Sequence, residues 1–126
     1  MVGGCGCGGN GLPLVFACSG ASDVGAITDQ VARKLSRRRL ATMSCIAAIG
    51  GRVEEMVEKA QAANSIIAID GCEHECARRT LESVGVVGMM HFTLQELGME
   101  KGNTPVSTEN VDKVYDSIVQ VLRGVS

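Results

Sequence analysis

Aromatic residues are almost absent from this chain of 126 residues, which has no tryptophan, one tyrosine and two phenylalanines. A hydrophobic core must therefore be built from valine, isoleucine, leucine, alanine and methionine. The shortage also removes the side chains on which single-stranded nucleic acids usually stack. The net charge of −2 lacks the basic excess that binding to a phosphate backbone requires. The composition therefore predicts a protein that does not bind nucleic acid.

Long apolar runs are also missing, and none reaches the roughly 20 residues that a membrane-spanning helix needs. The first residues carry no lysine or arginine, and the apolar run before Cys18 is too short for a secretory signal. We therefore expect a cytoplasmic protein that does not contact a membrane. The length suits one domain with a hydrophobic core of its own.

Cysteine, by contrast, is abundant, with six in the chain. Secreted disulfide-rich proteins are short and rich in turns, whereas this sequence alternates strand and helix patterns, so metal or thiol chemistry is the better explanation. Two of the cysteines, Cys5 and Cys7, fall in a glycine-rich stretch that we expect to form a flexible tail over residues 1–11. Residues 12–126 then form the single predicted domain.

Two enzyme motifs match this sequence in the spacing of their residues but not in their other requirements. The spacing G-x-G-x-x-G occurs within residues 1–11, but it precedes the first predicted strand, whereas a dinucleotide-binding loop follows a strand. Cys72 and Arg78 have the cysteine–arginine spacing of a phosphatase loop, but Glu73 and Glu75 between them would repel an oxyanion. We therefore predict neither a nucleotide-dependent nor a hydrolytic activity.

Three cysteines end three successive apolar strand patterns at a constant interval. Residues 14–17 precede Cys18, residues 40–44 precede Cys45, and residues 66–69 precede Cys72 by a short turn. Both intervals are 27 residues, the length of one strand plus one helix, so a thiol recurs at the same point of three units. A fourth thiol, Cys76, follows Cys72 by four residues. That spacing predicts that both thiols share one face of a first helical turn, where backbone N–H groups favour thiolates.

The alternation of strands and helices predicts a three-layer α/β/α fold of the flavodoxin or Rossmann type. We expect a four-stranded parallel sheet in the order 2-1-3-4, with the fourth strand over residues 86–92. A last helix should begin after Ser107 or Thr108. Its predicted inward face consists of Val111, Val114, Tyr115, Ile118, Val121 and Leu122.

The carboxyl ends of parallel strands meet at one edge of the sheet, where such folds bind ligands. In the order 2-1-3-4, Cys45, Cys18 and Cys72 follow neighbouring strands, and Cys76 would reach over from the helix. Four thiolates form a tetrahedral zinc site. An iron–sulfur cluster accepts the same four ligands, so the residues alone leave both cofactors open.

Several other side chains are auxiliary candidates for this site. Cys5 and Cys7 would pass metal or electrons to it from the tail. His91, near the end of the predicted fourth strand, is a candidate ligand, although a hydrogen-bonded or solvent-facing histidine is the more ordinary interpretation. We expect Asp70 to cap a turn or helix rather than to act as an acid or base.

These motifs resemble those of the DGC domain family, small proteins named for an Asp-Gly-Cys motif, here Asp70-Gly71-Cys72. The resemblance covers nearly the whole chain from Leu14 onward. It rests on the stretches FACSGAS at 16–22, MSC at 43–45 with IGG at 49–51, and IDGC at 69–72 with Cys76. It implies zinc binding by four chelating cysteines, which on this sequence are Cys18, Cys45, Cys72 and Cys76, and it implies no established reaction.

The resulting prediction is a zinc-binding protein that acts in metal handling or sensing. The alternative is a thiol oxidoreductase or sulfur-transfer protein, in which Cys72 attacks and Cys76 or Cys18 resolves the intermediate. The expected partners are the metal ion itself and a redox or metal-delivery protein.

Overall fold

The computed structural model describes residues 11–124, so the predicted tail with Cys5 and Cys7 lies outside the described residues except for Gly11. Strands and helices alternate along the described part, as the sequence predicts. The strands are β1 (Leu14–Ala17), β2 (Thr42–Met43), β3 (Ile66–Asp70) and β4 (Met90–Thr93). The helices are α1 (Asp23–Arg37), α2 (Ile46–Gly50), α3 (Glu54–Ala62), α4 (Cys76–Glu82) and α5 (Thr108–Leu122), with a 3-10 turn at Gln95–Leu97.

The four strands form one sheet in the order β2-β1-β3-β4, and neighbouring strands are parallel. The predicted order 2-1-3-4 is therefore confirmed. Every residue of β1 and β3 is buried, because these central strands are covered on both faces. No helix among residues 11–124 is long and apolar enough to cross a bilayer.

Apolar side chains fill a separate core on each face of the sheet, and they are mainly aliphatic, as the composition predicts, with the buried Phe16 as an exception. Ile67 and Ile69 of β3 belong to the core beneath α1 and α5, which we call the α1/α5 core. Ile66 and Ala68 belong to the core beneath α2, α3 and α4, which we call the α2/α4 core. The alternation along one strand thus places helices on both faces and produces the predicted three-layer architecture.

The two long helices begin at serine caps. The hydroxyl of Ser22 accepts a hydrogen bond from the N–H of Gly25 at 3.2 Å, and that of Ser107 accepts from the N–H of Asn110 at 3.1 Å. Each bond satisfies a backbone donor that has no partner within its helix. Of the two residues that the sequence offered as caps for α5, Ser107 is therefore the one used.

One strand boundary and one inward-facing position differ from the sequence prediction. The fourth strand begins at Met90 rather than at residue 86, because Gly88 has a φ of 75° and the chain turns there. Val121 of α5 is 47% exposed, so its predicted inward position is wrong. The inward stripe continues through Val119 and Leu122 instead, which lie four residues after Tyr115 and Ile118, respectively.

Candidate functional site at the carboxyl edge of the sheet

The loops after β1, β2 and β3 carry three of the predicted site cysteines to the same edge of the sheet. Cys18 directly follows β1, and its N–H donates to the carbonyl of Ile69 on β3 at 3.0 Å. Cys45 lies two residues beyond β2 and is the residue that caps α2. Cys72 lies two residues beyond β3, and Cys76 opens α4. All four side chains are free thiols.

The equal spacing of the cysteines in sequence does not give them equal positions in the sheet. Ala17 pairs with Ile69, so Cys18 is level with Asp70 and Cys72 lies two residues further along. Cys18 packs against the α2/α4 core, whereas Cys72 packs against the α1/α5 core. The two residues therefore pack against different cores, although Sγ of Cys18 also lies within 3.4 Å of Thr28 on α1.

Cys45 and Cys76 lie at the start of α2 and α4, which cover the face on which Cys18 packs, and Cys45 also lines a cavity with residues of α1. Within residues 11–124, no group of three or more histidine, cysteine, aspartate or glutamate side chains is placed so that it could hold a metal ion. The structure thus brings the four predicted ligands to one edge but does not gather them into one cluster.

The expectation that Cys72 and Cys76 share a helical face is wrong. The helix begins only at Cys76, and the preceding segment turns, with the N–H of Glu75 donating to the carbonyl of Cys72 at 3.1 Å. Glu75 itself has left-handed backbone angles, with φ of 52° and ψ of 49°. The helix dipole therefore acts at Cys76, and Cys72 lies outside it.

Asp70 explains why the helix begins at that point. Its carboxylate is 1% exposed, and it accepts hydrogen bonds from the N–H of Ala77 at 2.7 Å and the N–H of Arg78 at 3.1 Å. The side chain thus caps α4 from a position several residues upstream, as predicted for this aspartate. Its Oδ2 also accepts from Nε2 of His91 at 2.8 Å.

His91 is the second residue of β4 and not, as expected, near the end of its strand. The bond to Asp70 makes it a hydrogen-bonded histidine, which is the plainer of the two interpretations that the sequence offered. Because Nε2 is engaged by the carboxylate, that nitrogen is not available to a metal ion in this conformation.

Gly71 of the Asp-Gly-Cys motif lies against the first turn of α1. A Cβ atom at this position would lie 2.9 Å from Cγ2 of Val24 and 3.1 Å from the backbone nitrogen of Gly25. Real Cβ atoms essentially never come closer than 3.0 Å to such neighbours, so any side chain here would push α1 away from the turn. The glycine therefore lets the segment that carries Cys72 lie directly on α1.

Thr28 contacts the site although the sequence analysis did not single it out. It is fully buried, and its Oγ1 lies 3.4 Å from Sγ of Cys18. The same hydroxyl donates to the carbonyl of Gly25 at 2.7 Å and accepts from the N–H of Ser19 at 3.2 Å. Because its hydrogen is already directed to Gly25, the S–H of Cys18 is the donor in the contact between them. In the sequence, Thr28 could have been found as a hydroxyl-bearing residue within the otherwise apolar, buried stripe of α1.

Arg78 is held by carboxylates rather than directed to an anion site. Its Nε donates to Glu75 at 2.8 Å, its Nη2 also contacts Glu75, and its Nη1 donates to Glu82 at 3.0 Å. The guanidinium in turn holds the pKa of Glu75 below its ordinary value, mainly through their hydrogen bond. This geometry agrees with the rejection of a phosphatase loop between Cys72 and Arg78.

Two cavities open at this edge. One, of about 480 Å³, is lined by Cys72 together with the chain around Gly98–Lys101. The other, of about 460 Å³, is lined by Cys45 and residues of α1, α2 and α3. The two thiols therefore face different spaces.

Comparison with known proteins agrees with the resemblance carried by the motifs. A curated relative, the anaerobic and virulence modulator AnvM of Pseudomonas aeruginosa, is 46% identical over 90 residues, which span 71% of this chain and 69% of the relative. No solved structure matches the chain. The DGC domain profile matches residues 14–118, and the chain therefore belongs to the DGC domain family.

Proposed function

We propose that this protein binds zinc through Cys18, Cys45, Cys72 and Cys76 and acts in metal handling or sensing. The observation that supports the proposal is the presence of four free thiols after three adjacent parallel strands, at the edge where α/β folds bind ligands. Thiolates are the ligands that structural zinc most often takes.

The four thiols are ligands of the kind that zinc takes, but their arrangement in this conformation does not form a complete zinc site. Cys72 packs against the α1/α5 core, on the face opposite to the core that Cys18 contacts. The proposal therefore includes a rearrangement of the turn at residues 71–75, which carries Cys72. Glu75 already has left-handed backbone angles in that turn, which are uncommon for residues other than glycine.

Elemental analysis of the anaerobically purified protein tests the proposal. We expect one zinc per chain, and we expect each single substitution of Cys18, Cys45, Cys72 or Cys76 by serine to remove most of it. A Cys5→Ser/Cys7→Ser double variant makes the same chemical change outside this set and should keep its zinc. Full metal content in the four single variants would contradict the assignment. A visible absorption that bleaches on reduction would assign an iron–sulfur cluster instead.

A thiol-redox function is the second candidate, and the exposure of Cys45 and Cys76 favours it. The P. aeruginosa relative is named as an anaerobic and virulence modulator, and for this chain we propose only a response to oxidants. The step would be exchange with a small disulfide, in which two protein thiols form one disulfide and release two small thiols.

Mild oxidation with glutathione disulfide, followed by peptide mapping, tests this second function. A redox protein should form one defined disulfide, which we expect between Cys72 and Cys76 because they flank a single turn. Zinc-loaded protein should resist the same treatment if the thiolates hold the metal. Scrambled pairs at equal yield would contradict a dedicated redox function.

A further inference from the structure

The cavity of about 460 Å³ beside Cys45 has features of a binding site that the zinc proposal does not use. It lies at the carboxyl edge of β1 and β2, between α1 and the two helices that follow β2. Its volume falls within the range of about 300–1,000 Å³ that is typical of small-molecule sites. We propose that this cavity binds a small neutral molecule with an apolar body and a hydrogen-bond acceptor. The inference does not rest on zinc binding.

The wall of the cavity is mainly apolar. Its apolar lining comes from the end of β1, the end of β2 and the facing sides of α2 and α3, as Ala17, Met43, Ile46, Ala47 and Met56. Methionine side chains adapt to ligands of different shape because they are unbranched and flexible. Burial of apolar ligand surface against this wall would supply the main part of the binding free energy.

One end of the cavity is polar and carries a fixed donor. The hydroxyl of Ser19 donates to Oδ1 of Asp29 at 2.9 Å, and Nε of Arg33 donates to Oδ2 at 2.7 Å. Both oxygens of the carboxylate are therefore engaged, and the guanidinium is oriented by the bond at Nε. The two terminal nitrogens of Arg33 have no hydrogen-bond partner within residues 11–124.

The charges at this end decide which kind of ligand fits. Asp29 offsets the positive charge of Arg33, so the pair offers N–H donors without a net charge. An ionic ligand of either sign would meet one attracting and one repelling charge here, so it would lose hydration without a net electrostatic gain. A neutral acceptor such as a carbonyl oxygen can use the terminal N–H groups without either penalty.

Cys45 provides a built-in reporter of occupancy. It is exposed and lines this cavity, whereas Cys76 is also exposed but does not line it. A molecule bound in the cavity would therefore shield the thiol of Cys45 and leave that of Cys76 open to reagents.

Titration with the neutral dye prodan, which joins a naphthalene ring to a ketone, tests the proposal. We expect a saturable blue shift of its fluorescence at one dye per chain.

Ala47→Phe, which fills the cavity from an exposed helical position, should weaken binding about tenfold or more. Ala62→Phe adds the same ring to an exposed position of α3 outside the cavity and should leave binding unchanged. Arg33→Leu should weaken binding by about fivefold through loss of the donor, and Arg33→Lys should restore part of it.

Alkylation of the unaltered chain, stripped of metal with a chelator so that Cys45 and Cys76 are free to react, provides a readout that does not depend on any variant folding. Prodan at saturation should slow the reaction of Cys45 with iodoacetamide and leave that of Cys76 unchanged, as measured by peptide mass spectrometry. Equal protection of both thiols, or of neither, would overturn the proposal. Unchanged dye binding in a folded Ala47→Phe variant would overturn it as well.

Discussion

Nε2 of His91 lies 2.8 Å from Oδ2 of Asp70, and this bond ties β4 to the turn that carries Cys72. The same carboxylate caps α4 through the N–H groups of Ala77 and Arg78. Asp70 therefore joins three elements: the strand that it ends, the helix that Cys76 opens and the neighbouring strand. The first residue of the Asp-Gly-Cys motif thus positions the site rather than supplying a ligand.

Replacing Asp70 by alanine should lower the free energy of unfolding by about 2–4 kcal/mol, because two buried helix N–H groups lose their acceptor. Asp70→Asn keeps one acceptor oxygen and should cost about half as much. His91→Ala should cost about 1 kcal/mol. Urea denaturation measures all three effects, and a double-mutant cycle should show coupling between Asp70 and His91. Additive effects would show that the bond contributes nothing to stability.

Gly71→Ala should destabilise the fold by about 1–3 kcal/mol, because the added methyl group would overlap α1 at Val24. Gly50→Ala is the matched control. A Cβ there meets only Cγ2 of Thr80, at 3.8 Å, and alanine is favoured over glycine within a helix. The control should therefore be neutral or slightly stabilising. Equal melting temperatures for the two variants would show that α1 adjusts to a side chain at residue 71.

Much of the fold could be predicted because hydrophobic spacing directly reflects it. The buried run at residues 66–69 and the stripe of Val24, Ile27, Val31 and Leu35 place a central strand and a helix correctly. The strand order was predicted from the flavodoxin type of fold and is confirmed, although a parallel sheet by itself allows other orders. The start of β4 could not be predicted from hydrophobic spacing, since Val86 and Val87 are typical strand residues, yet the chain turns after them at Gly88.

The sequence predicted the edge of the sheet at which the candidate site lies, but not the face on which each cysteine packs. Along a strand, neighbouring side chains alternate between faces, so the face of a cysteine depends on the residue at which that alternation ends. Continued alternation from Ile66 and Ala68 would have placed Cys72 on the α2/α4 side with Cys18. The turn after Asp70 breaks the alternation. It forms because the carboxylate of Asp70, which lies outside α4, caps the first turn of that helix. Such a contact leaves no periodic signal in the sequence.

The stability of the protein should depend on Asp23 in acid. Its carboxylate accepts the N–H groups of Gly102, Thr104 and Val24, and these bonds lower its pKa below the ordinary value of 3.8. Because the folded state has the lower pKa, the contribution is fully present above the unfolded pKa and is lost as the pH falls through the folded one. The stability difference between the native chain and Asp23→Asn should be constant above about pH 5 and shrink below pH 3.8. Urea midpoints across this range measure it, and a difference that does not change with pH would contradict the assignment.

Removal of zinc should leave the protein folded if the metal has a handling or sensing role. Both described cores consist of apolar residues, and Cys18 and Cys72 pack only at their margins, so the cores close without a metal ion. Bound zinc should then raise the melting temperature by mass action, and a chelator should return it to the metal-free value with unchanged far-UV circular dichroism. The Cys18→Ser variant should melt at the same temperature with and without the chelator. Small domains that depend on structural zinc unfold when stripped. Unfolding of the native chain by the chelator would therefore assign a structural role to the metal and contradict a handling or sensing function.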